Sequence, residues 1–377
     1  MAILYGTMQN GQLVAVEADS QGRLVAQLAD PVDPSNFVAI NGSTMTGNLT
    51  VPSLNDGPLG GFRNQIINGN FSVQQRYTNA AAWQGLSDSY VSDRWRTGGT
   101  LLDVAWLFGT DDLPFRSRTQ ITNRSAGANS GLSQLIELPG NSGYGHFFSG
   151  SKFTLSFWSD KALAASGSEV SVDIYDFSSL ASVEGATVTS LGVVEGPLSG
   201  FSRYAYSVEI PNYTYSANYC VRVNIFQGSQ AVGTKFTLTG VQLEPGPVAT
   251  PFEHRPIGTE LALCQRYYQK LNEVTGVGPV GLTQAQNTTR MVCFLPTKCT
   301  MRAAPSVGLP STANFQLQVN DSVFGDIDFA VDQSCPSGVF VLAQPNAGNA
   351  NRFTVGGSGR LFTLNASAGS FTADAEL

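Results

Sequence analysis

The stretch Lys152-Phe-Thr-Leu-Ser-Phe-Trp alternates large apolar with small polar side chains, and this period of two constrains the fold more than any other feature of the chain. Successive side chains of a strand point to opposite faces, so Phe153, Leu155 and Phe157 share one face and Lys152, Thr154 and Ser156 the other. Glu169-Val-Ser-Val-Asp-Ile-Tyr sets Val170, Val172 and Ile174 together in the same way. Tyr219-Cys-Val-Arg-Val-Asn-Ile alternates Val221, Val223 and Ile225 with Arg222 and Asn224. In Lys235-Phe-Thr-Leu-Thr-Gly-Val-Gln-Leu the inward set begins as Phe236 and Leu238 and becomes Val241 and Leu243 after Gly240. A glycine at a phase flip predicts a β-bulge. With 131–138, 186–194 and 202–210 added, seven or eight strands are expected. Their spacing of roughly 12–25 residues is wider than in a minimal immunoglobulin-like domain and suits a jelly roll with elaborated loops.

Composition agrees. Only 13% of the 377 residues are charged, against about 25% in ordinary soluble domains. Helical surfaces are rich in Lys, Glu and Arg, which lose little rotamer freedom there. A chain poor in them covers itself with Ser, Thr, Asn and Gly, which suit strands and turns. The net charge is −7 and there is no basic run of the kind a nucleic-acid surface needs. Nor is there an apolar run long enough for a spanning helix, so neither nucleic acid nor membrane insertion is expected. Met1-Ala-Ile-Leu-Tyr-Gly lacks a signal-peptide pattern, so synthesis in a cytoplasm is expected, with exit by a route such as lysis. The five cysteines include no CxxC pair and the histidines number two, a poor supply for a zinc site. Buried free thiols are the expectation, with a Cys293–Cys299 hairpin bridge as the alternative.

The resulting architecture is all-β: a jelly-roll-like β-sandwich, one linker helix and a smaller C-terminal β domain, preceded by an irregular N-terminal attachment segment. Residues 1–61 hold short pieces, with two small strands at Leu13-Val-Ala-Val and Leu24-Val-Ala-Gln-Leu, that cannot bury a core alone. The sandwich spans 62–255. Apolar residues at 257, 261, 264, 268 and 271 predict a helix over 256–272, with Pro256 and Thr259 as start signals. Residues 273–377 return to β character at 290–295, 315–319, 339–343, 353–355 and 360–364, with a closing strand from Phe371.

Two segments carry a family resemblance. Asn64-Gln-Ile-Ile-Asn-Gly-Asn-Phe-Ser-Val-Gln-Gln-Arg, followed by Ser92-Asp-Arg-Trp, resembles the opening of a carbohydrate-binding-module-like β-sandwich of tailed-phage fibres. The run from Phe236 through Gln242-Leu-Glu-Pro-Gly-Pro-Val-Ala-Thr-Pro-Phe-Glu-His-Arg-Pro to Gln265-Arg-Tyr-Tyr resembles that module's exit and following helix. Met45-Thr-Gly-Asn-Leu-Thr-Val-Pro-Ser-Leu-Asn is similar to short connectors in fibres of cyanophages, and the terminal Ala-Asp-Ala-Glu-Leu to how such fibres end. The resemblance implies a virion tail-fibre or related appendage protein rather than an enzyme. It further implies a homotrimer, docked to other tail or baseplate proteins through residues 1–60 and reading a host-surface glycan. A purely structural collar, baseplate or capsid appendage and a glycan-degrading tail hydrolase are the alternatives.

Glycan recognition uses a flat aromatic against the apolar face of a sugar, with planar amides beside it. Trp83, Tyr90, Trp106 and Tyr144 are candidates on expected loops or edges, whereas Trp95 and Trp158 are interleaved with strand residues and expected in the core. Tyr204, Tyr206, Tyr213 and Tyr215 form a further aromatic patch. Jelly-roll modules of this type often hold a structural calcium by oxygens near the first and last strands; the resemblance assigns Asn68, Asn70 and Glu244 to it. On the residues alone, Asn68 and Asn70 shape an Asn-Gly-Asn turn and Glu244 pairs with Arg76 or Arg94. No other cofactor is expected. His146 and His254 are expected to be structural. Paired carboxylates could cleave a glycan, and Asp88, Asp93, Asp103, Asp111, Asp112, Glu137, Asp173 and Asp176 are the acids to examine.

Overall fold

A computed structural model describes residues 4–7, 13–18, 24–27, 62–76, 83–86, 88–98, 102–109, 113–125, 130–138, 147–163, 169–228, 231–272, 277–310, 315–320, 322–325, 327–345, 353–364 and 369–377. The chain divides into two compact units, Met1–Val51 and Pro52–Leu377. In the first, Leu4–Thr7, Leu13–Ala18 and Leu24–Gln27 form a three-stranded antiparallel sheet. The first of these strands is not evident from the sequence pattern.

The second unit begins with the expected sandwich. One sheet orders its strands as Thr187–Leu198, Phe201–Glu209, Lys152–Ser159, Lys235–Pro245, Ser117–Asn123, Leu102–Phe108 and Trp83–Leu86. The other runs Ala181–Gly185, Val170–Asp176, Tyr219–Gln227, Ser130–Glu137, Trp95–Gly98 and Tyr90–Ser92. From Ser130 onward the chain crosses repeatedly between the sheets, with Thr187–Leu198 and Phe201–Glu209 staying together as a hairpin in one of them, and every pairing is antiparallel. The inward faces bury Phe153, Leu155, Phe157, Val172, Ile174, Val221, Val223 and Ile225 in one core. Trp95 and Trp158 are buried as expected.

The bulge falls where the phase flip placed it. Ser156 pairs with Gln242 and Trp158 with Thr239, so the partner strand carries an extra residue around Gly240. Gly240 has φ +58°, and a Cβ there would lie 2.5 Å from the Phe115 ring. The central strand departs from simple alternation: Thr154, Ser156 and Ser159 are also buried. Their outer face is covered by the exit segment, with Thr154 Oγ1 donating to the Gly246 carbonyl at 2.8 Å and Arg203 reaching both Ser156 and the Thr250 carbonyl.

The helix is shorter than its periodicity predicts. It spans Ile257–Gln265, buries Glu260, Cys264 and Gln265, and leaves Ile257 exposed. The expected continuation to 272 is replaced by a strand, Tyr268–Lys270, which pairs with Thr372–Asp374. The reason is tertiary. Tyr267 and Tyr268 are held beneath the guanidinium groups of Arg94 and Arg76, and the closing strand takes up the backbone hydrogen bonds that a further helical turn would use.

Thr372–Asp374 is the middle strand of a small sheet, between Tyr268–Lys270 and Ser306–Gly308. The remaining C-terminal sheet runs Ser322–Phe324, Phe315–Val319, Ser358–Thr363, Gly278–Ala285, Met291–Pro296, Gly338–Pro345 and Ile327–Cys335. Its inner face packs Cys293, Leu295, Phe315, Val339, Val341, Leu361 and Phe371. Residues 353–355, expected as a strand, are not one; Phe353 is instead a buried plug, its ring 5.5 Å from that of Phe324. All five cysteines are free, Cys220, Cys264 and Cys293 being buried.

Candidate binding surfaces

The module opening, the module exit and the terminal segment converge on one joint, whereas the connector at 45–55 lies outside the described residues. Asn68 adopts φ +57° at the Asn-Gly-Asn turn, and its amide spans to Val73 and Asp93, donating to the carbonyls of both and accepting from Val73 N–H at 2.9 Å. Trp95 Nε1 donates to the Asn68 carbonyl at 2.9 Å. Beside it, buried Arg94 ion-pairs with Glu376 and lies 3.4 Å above the Tyr267 ring. Burial is the largest influence on Arg94 and opposes its charge, but Glu376 together with Tyr267, Tyr90 and Cys264 outweighs it and holds the guanidinium pKa above its ordinary value. Arg76 donates to Asp374 at 2.8 Å and to Glu376 at 3.0 Å, and lies 3.9 Å over Tyr268. Asp93 accepts from Gln75 N–H and Nε2 at 2.6 and 2.7 Å, and burial raises its pKa despite those bonds.

This joint claims one of the expected ligand contacts. Tyr90 is packed against Arg76 and donates its hydroxyl to the Leu377 carbonyl at 3.2 Å, so it is structural rather than presented to solvent. Trp106 is half-buried against the sandwich core; its indole N–H donates to the Phe71 carbonyl at 2.9 Å, and its ring meets the edge of Phe108, which is 62% exposed. Trp83 lies on the edge strand paired with Val104, and its side chain is outside the described residues. Tyr144 and His146 lie outside them altogether. Of the aromatic patch, Tyr206 donates to the Leu163 carbonyl and Tyr213 to the Phe147 carbonyl, both as struts of the sandwich.

The oxygens assigned to calcium are committed elsewhere. Glu244 is buried and takes Arg63 at 2.9 Å, Gln242 Nε2 at 2.8 Å and Thr250 N–H at 2.9 Å. Its partner is therefore Arg63, not Arg76 or Arg94. Asn68 is spent on the turn, and Asn70 accepts from Ser72 N–H. The small polar cavity beside Asn70 is lined by Glu253 and Glu260, but Arg255 stands among them, 3.6 and 3.3 Å from those carboxylates. A second cation would compete with that guanidinium, so these residues do not fit a calcium donor set. Among the described residues no group of three or more His, Cys, Asp or Glu side chains gathers as a metal cluster would require.

The acids are similarly engaged. Asp103 pairs with Arg124 at 2.8 Å, Asp173 with Arg222 at 2.5 Å, Glu137 with Arg266 at 3.0 Å and Asp88 with Arg96 at 3.5 Å. Asp176 caps a turn through Ser178. Asp111 and Asp112 lie outside the described residues. His254 stacks on Phe115 with centroids 5.5 Å apart and meets the edge of Phe252 at 5.0 Å, an aromatic cluster rather than a proton relay.

A surface not singled out from the sequence lies on the C-terminal sheet. Phe294 and Phe340 are cross-strand partners on its outward face, with ring centroids 4.8 Å apart. Phe294 is 44% exposed and Leu282 81%. The signal was present in Met291-Val-Cys-Phe-Leu-Pro, whose alternation sends Val292 and Phe294 outward while Cys293 and Leu295 enter the core.

No family model matches the chain, and no curated protein does. Among solved structures, the enzymatically active domain of tailspike protein 4 from bacteriophage CBA120 aligns at 16% identity and a TM-score of 0.28, over 49% of this chain. The chain spans 22% of that domain. The tandem CBM22 domains of Paenibacillus barcinonensis Xyn10C align at 10% identity and a TM-score of 0.23, over 80% of this chain and 98% of that one. Likenesses this slight establish neither a shared fold nor a shared function. Among the described residues, no helix is long and apolar enough to cross a membrane.

Proposed function

We propose that the chain is a structural, receptor-binding virion protein of a tailed phage, a homotrimeric subunit of a tail fibre or related appendage that docks through residues 1–60 and reads a host-surface glycan. The observation that carries this reading is the joint. The segments resembling fibre proteins lie as far as 300 residues apart, yet Arg76 and Arg94 from the module opening hold Asp374 and Glu376 of the terminal segment. Segments spaced through the chain thus cooperate as parts of one structural design rather than as scattered likenesses. Asp88, Asp103, Glu137 and Asp173 are engaged by arginines, Asp176 by a turn and Asp93 by the Gln75 amides, which disfavours the hydrolase alternative. Weak sites on several chains of a trimer would give avidity when geometry lets them engage together.

Light scattering on the full chain and on a chain starting at Phe62 tests the assembly. A trimeric mass supports the reading, and its loss on truncation would locate assembly in the N-terminal segment. A monomer in both cases overturns it. A trimer that binds neither host cells nor any member of a broad glycan panel would favour the collar or capsid appendage instead.

A further inference from the structure

We infer that the slot between Tyr268–Lys270 and Ser306–Gly308 is a strand receptor, and that it accepts residues 371–376 of a second copy of this chain as well as its own. Exchange of the segment between copies rests on the oligomer proposed above; the receptor character of the slot does not.

The occupant is held as a bound peptide would be. Thr372, Ala373 and Asp374 pair with Lys270, Gln269 and Tyr268 on one side and with Gly308, Val307 and Ser306 on the other. Leu271 N–H donates to the Phe371 carbonyl at 2.8 Å, and Ala375 N–H to the Tyr267 carbonyl at 2.7 Å. In recognition by strand addition, backbone bonds supply affinity and pockets for alternate side chains supply selectivity. Phe371, Ala373 and Ala375 are buried on one face of the strand. The Phe371 ring lies 5.6 Å from Phe315 and 4.9 Å from Phe329, and the two alanines cluster with Met301. From the other face Asp374 and Glu376 meet Arg76, and Glu376 meets Arg94 as well. Arg302 donates to the carbonyls of Ala375 and Glu376 at 2.8 and 3.0 Å. A Cβ on Gly308 would lie 2.3 Å from Thr372 Oγ1, so the fit is close there too. The slot thus reads an aromatic and two small residues on one face and two acids on the other.

The walls hold one another without the occupant. Gln75 Nε2 donates to the Tyr268 carbonyl at 3.0 Å, and Lys298 N–H to Gln269 Oε1 at 2.7 Å. Arg302 N–H donates to the Arg266 carbonyl at 2.9 Å. Arg76 and Arg94 are set over the rings of Tyr268 and Tyr267, at 3.9 and 3.4 Å. None of these contacts involves residues 371–376. Walls assembled in this way are preorganised, so entry of a strand orders the strand and little else.

The match commits the slot to one kind of occupant. A segment that docks against preformed walls can come from an identical neighbour, and such exchange of an element between copies is a low-cost route to association. A second copy presents the same aromatic, small and acidic pattern, and its two carboxylates suit the guanidinium groups waiting for them.

The test uses full chains and a fluorescein-labelled peptide of residues 369–377. Asp374→Lys with Glu376→Lys sets two cations against Arg76 and Arg94 and should free the slot of its own segment. Fluorescence anisotropy should then show saturable binding of the peptide. Wild-type chains should bind it about tenfold more weakly or worse, because their own segment competes at an effective concentration of roughly millimolar. A peptide carrying Ala373→Leu, or one carrying both lysines, should not bind. Asp374→Asn with Glu376→Gln removes the charges but keeps acceptors, and serves as the opened chain if melts show the lysine variant unfolded. Absence of saturable binding to the folded opened chain, or equal binding of the lysine peptide, overturns the receptor. Exchange is tested by refolding Ser306→Cys chains together with Asp374→Cys chains, whose positions face each other across the slot. On oxidation a covalent dimer is expected that neither chain forms alone, and its absence overturns exchange between copies. A monomeric wild type whose opened variant still binds the peptide overturns the oligomer and the exchange, and leaves the strand receptor standing.

Discussion

Arg94 and Glu376 stand 282 residues apart in the chain and meet as an ion pair with side chains 1% and 4% exposed. Arg94 also donates to the Leu135 carbonyl, so one guanidinium ties the module opening, the sandwich and the terminal segment together. Removing one partner of such a pair leaves the other charge buried and alone, at about 3–5 kcal/mol. Arg94→Met should lower the urea midpoint accordingly. Glu376→Gln, which retains an acceptor, should cost less. The double variant Arg94→Met/Glu376→Met should cost less than the sum of the two single methionine changes, and additivity in that cycle would show the pair to be uncoupled.

The thiols should divide sharply by reactivity, since thiolate is the nucleophile. Burial pushes Cys220 and Cys293 up to about 12 and Cys264 well above its ordinary value. Cys299 is raised by the same cause. Cys335, in a turn beside the Ser337 hydroxyl 3.3 Å away, is lowered by that hydrogen bond. Brief maleimide labelling at neutral pH, read by peptide mass spectrometry, should modify Cys335 first and Cys299 more slowly. The other three should label only in denaturant. Early modification of Cys293 would contradict its place in the core.

His254 makes stability depend on pH. Burial against Phe115 and Phe252 lowers its pKa below the ordinary value of 6.5. Just below that value the folded state binds fewer protons at this position than the unfolded chain, so its contribution to stability is lost as pH falls. His254→Phe keeps an aromatic side chain and removes the proton. The unfolding free energy of the wild type relative to this variant should decrease between about pH 7 and about pH 5. A difference independent of pH would show that the imidazole is not desolvated.

Chelation should leave stability unchanged. An ion bound only by the folded state raises Tm by mass action, and Glu244, Asn68 and Asn70 already carry protein partners. Thermal melts with EDTA and with added calcium should coincide. A rise in Tm with calcium would show that the folded chain holds the ion.

The strands of the sandwich were legible because alternation is local: Phe153, Leu155 and Phe157 report their face by spacing alone, and Gly240 reports the bulge by breaking it. The N-terminal hairpin strands and the buried Trp95 and Trp158 were readable for the same reason. The span of the helix was not. Tyr268 and Leu271 continue a helical period, and only the arrival of Thr372–Asp374 and of two arginines from the sandwich turns that backbone into a strand. The fate of Tyr90 and Glu244 was equally out of reach, since an aromatic or a carboxylate looks the same in sequence whether it faces solvent or a buried guanidinium. The meeting of Phe294 and Phe340 on the C-terminal sheet depends on the register between two strands, which no local pattern encodes. The sequence by itself determined which segments extend and which face of each is apolar, because those follow from side-chain spacing. The tertiary structure alone decided which polar groups neutralise one another and which remain turned to solvent, because that depends on contacts between segments far apart in the chain.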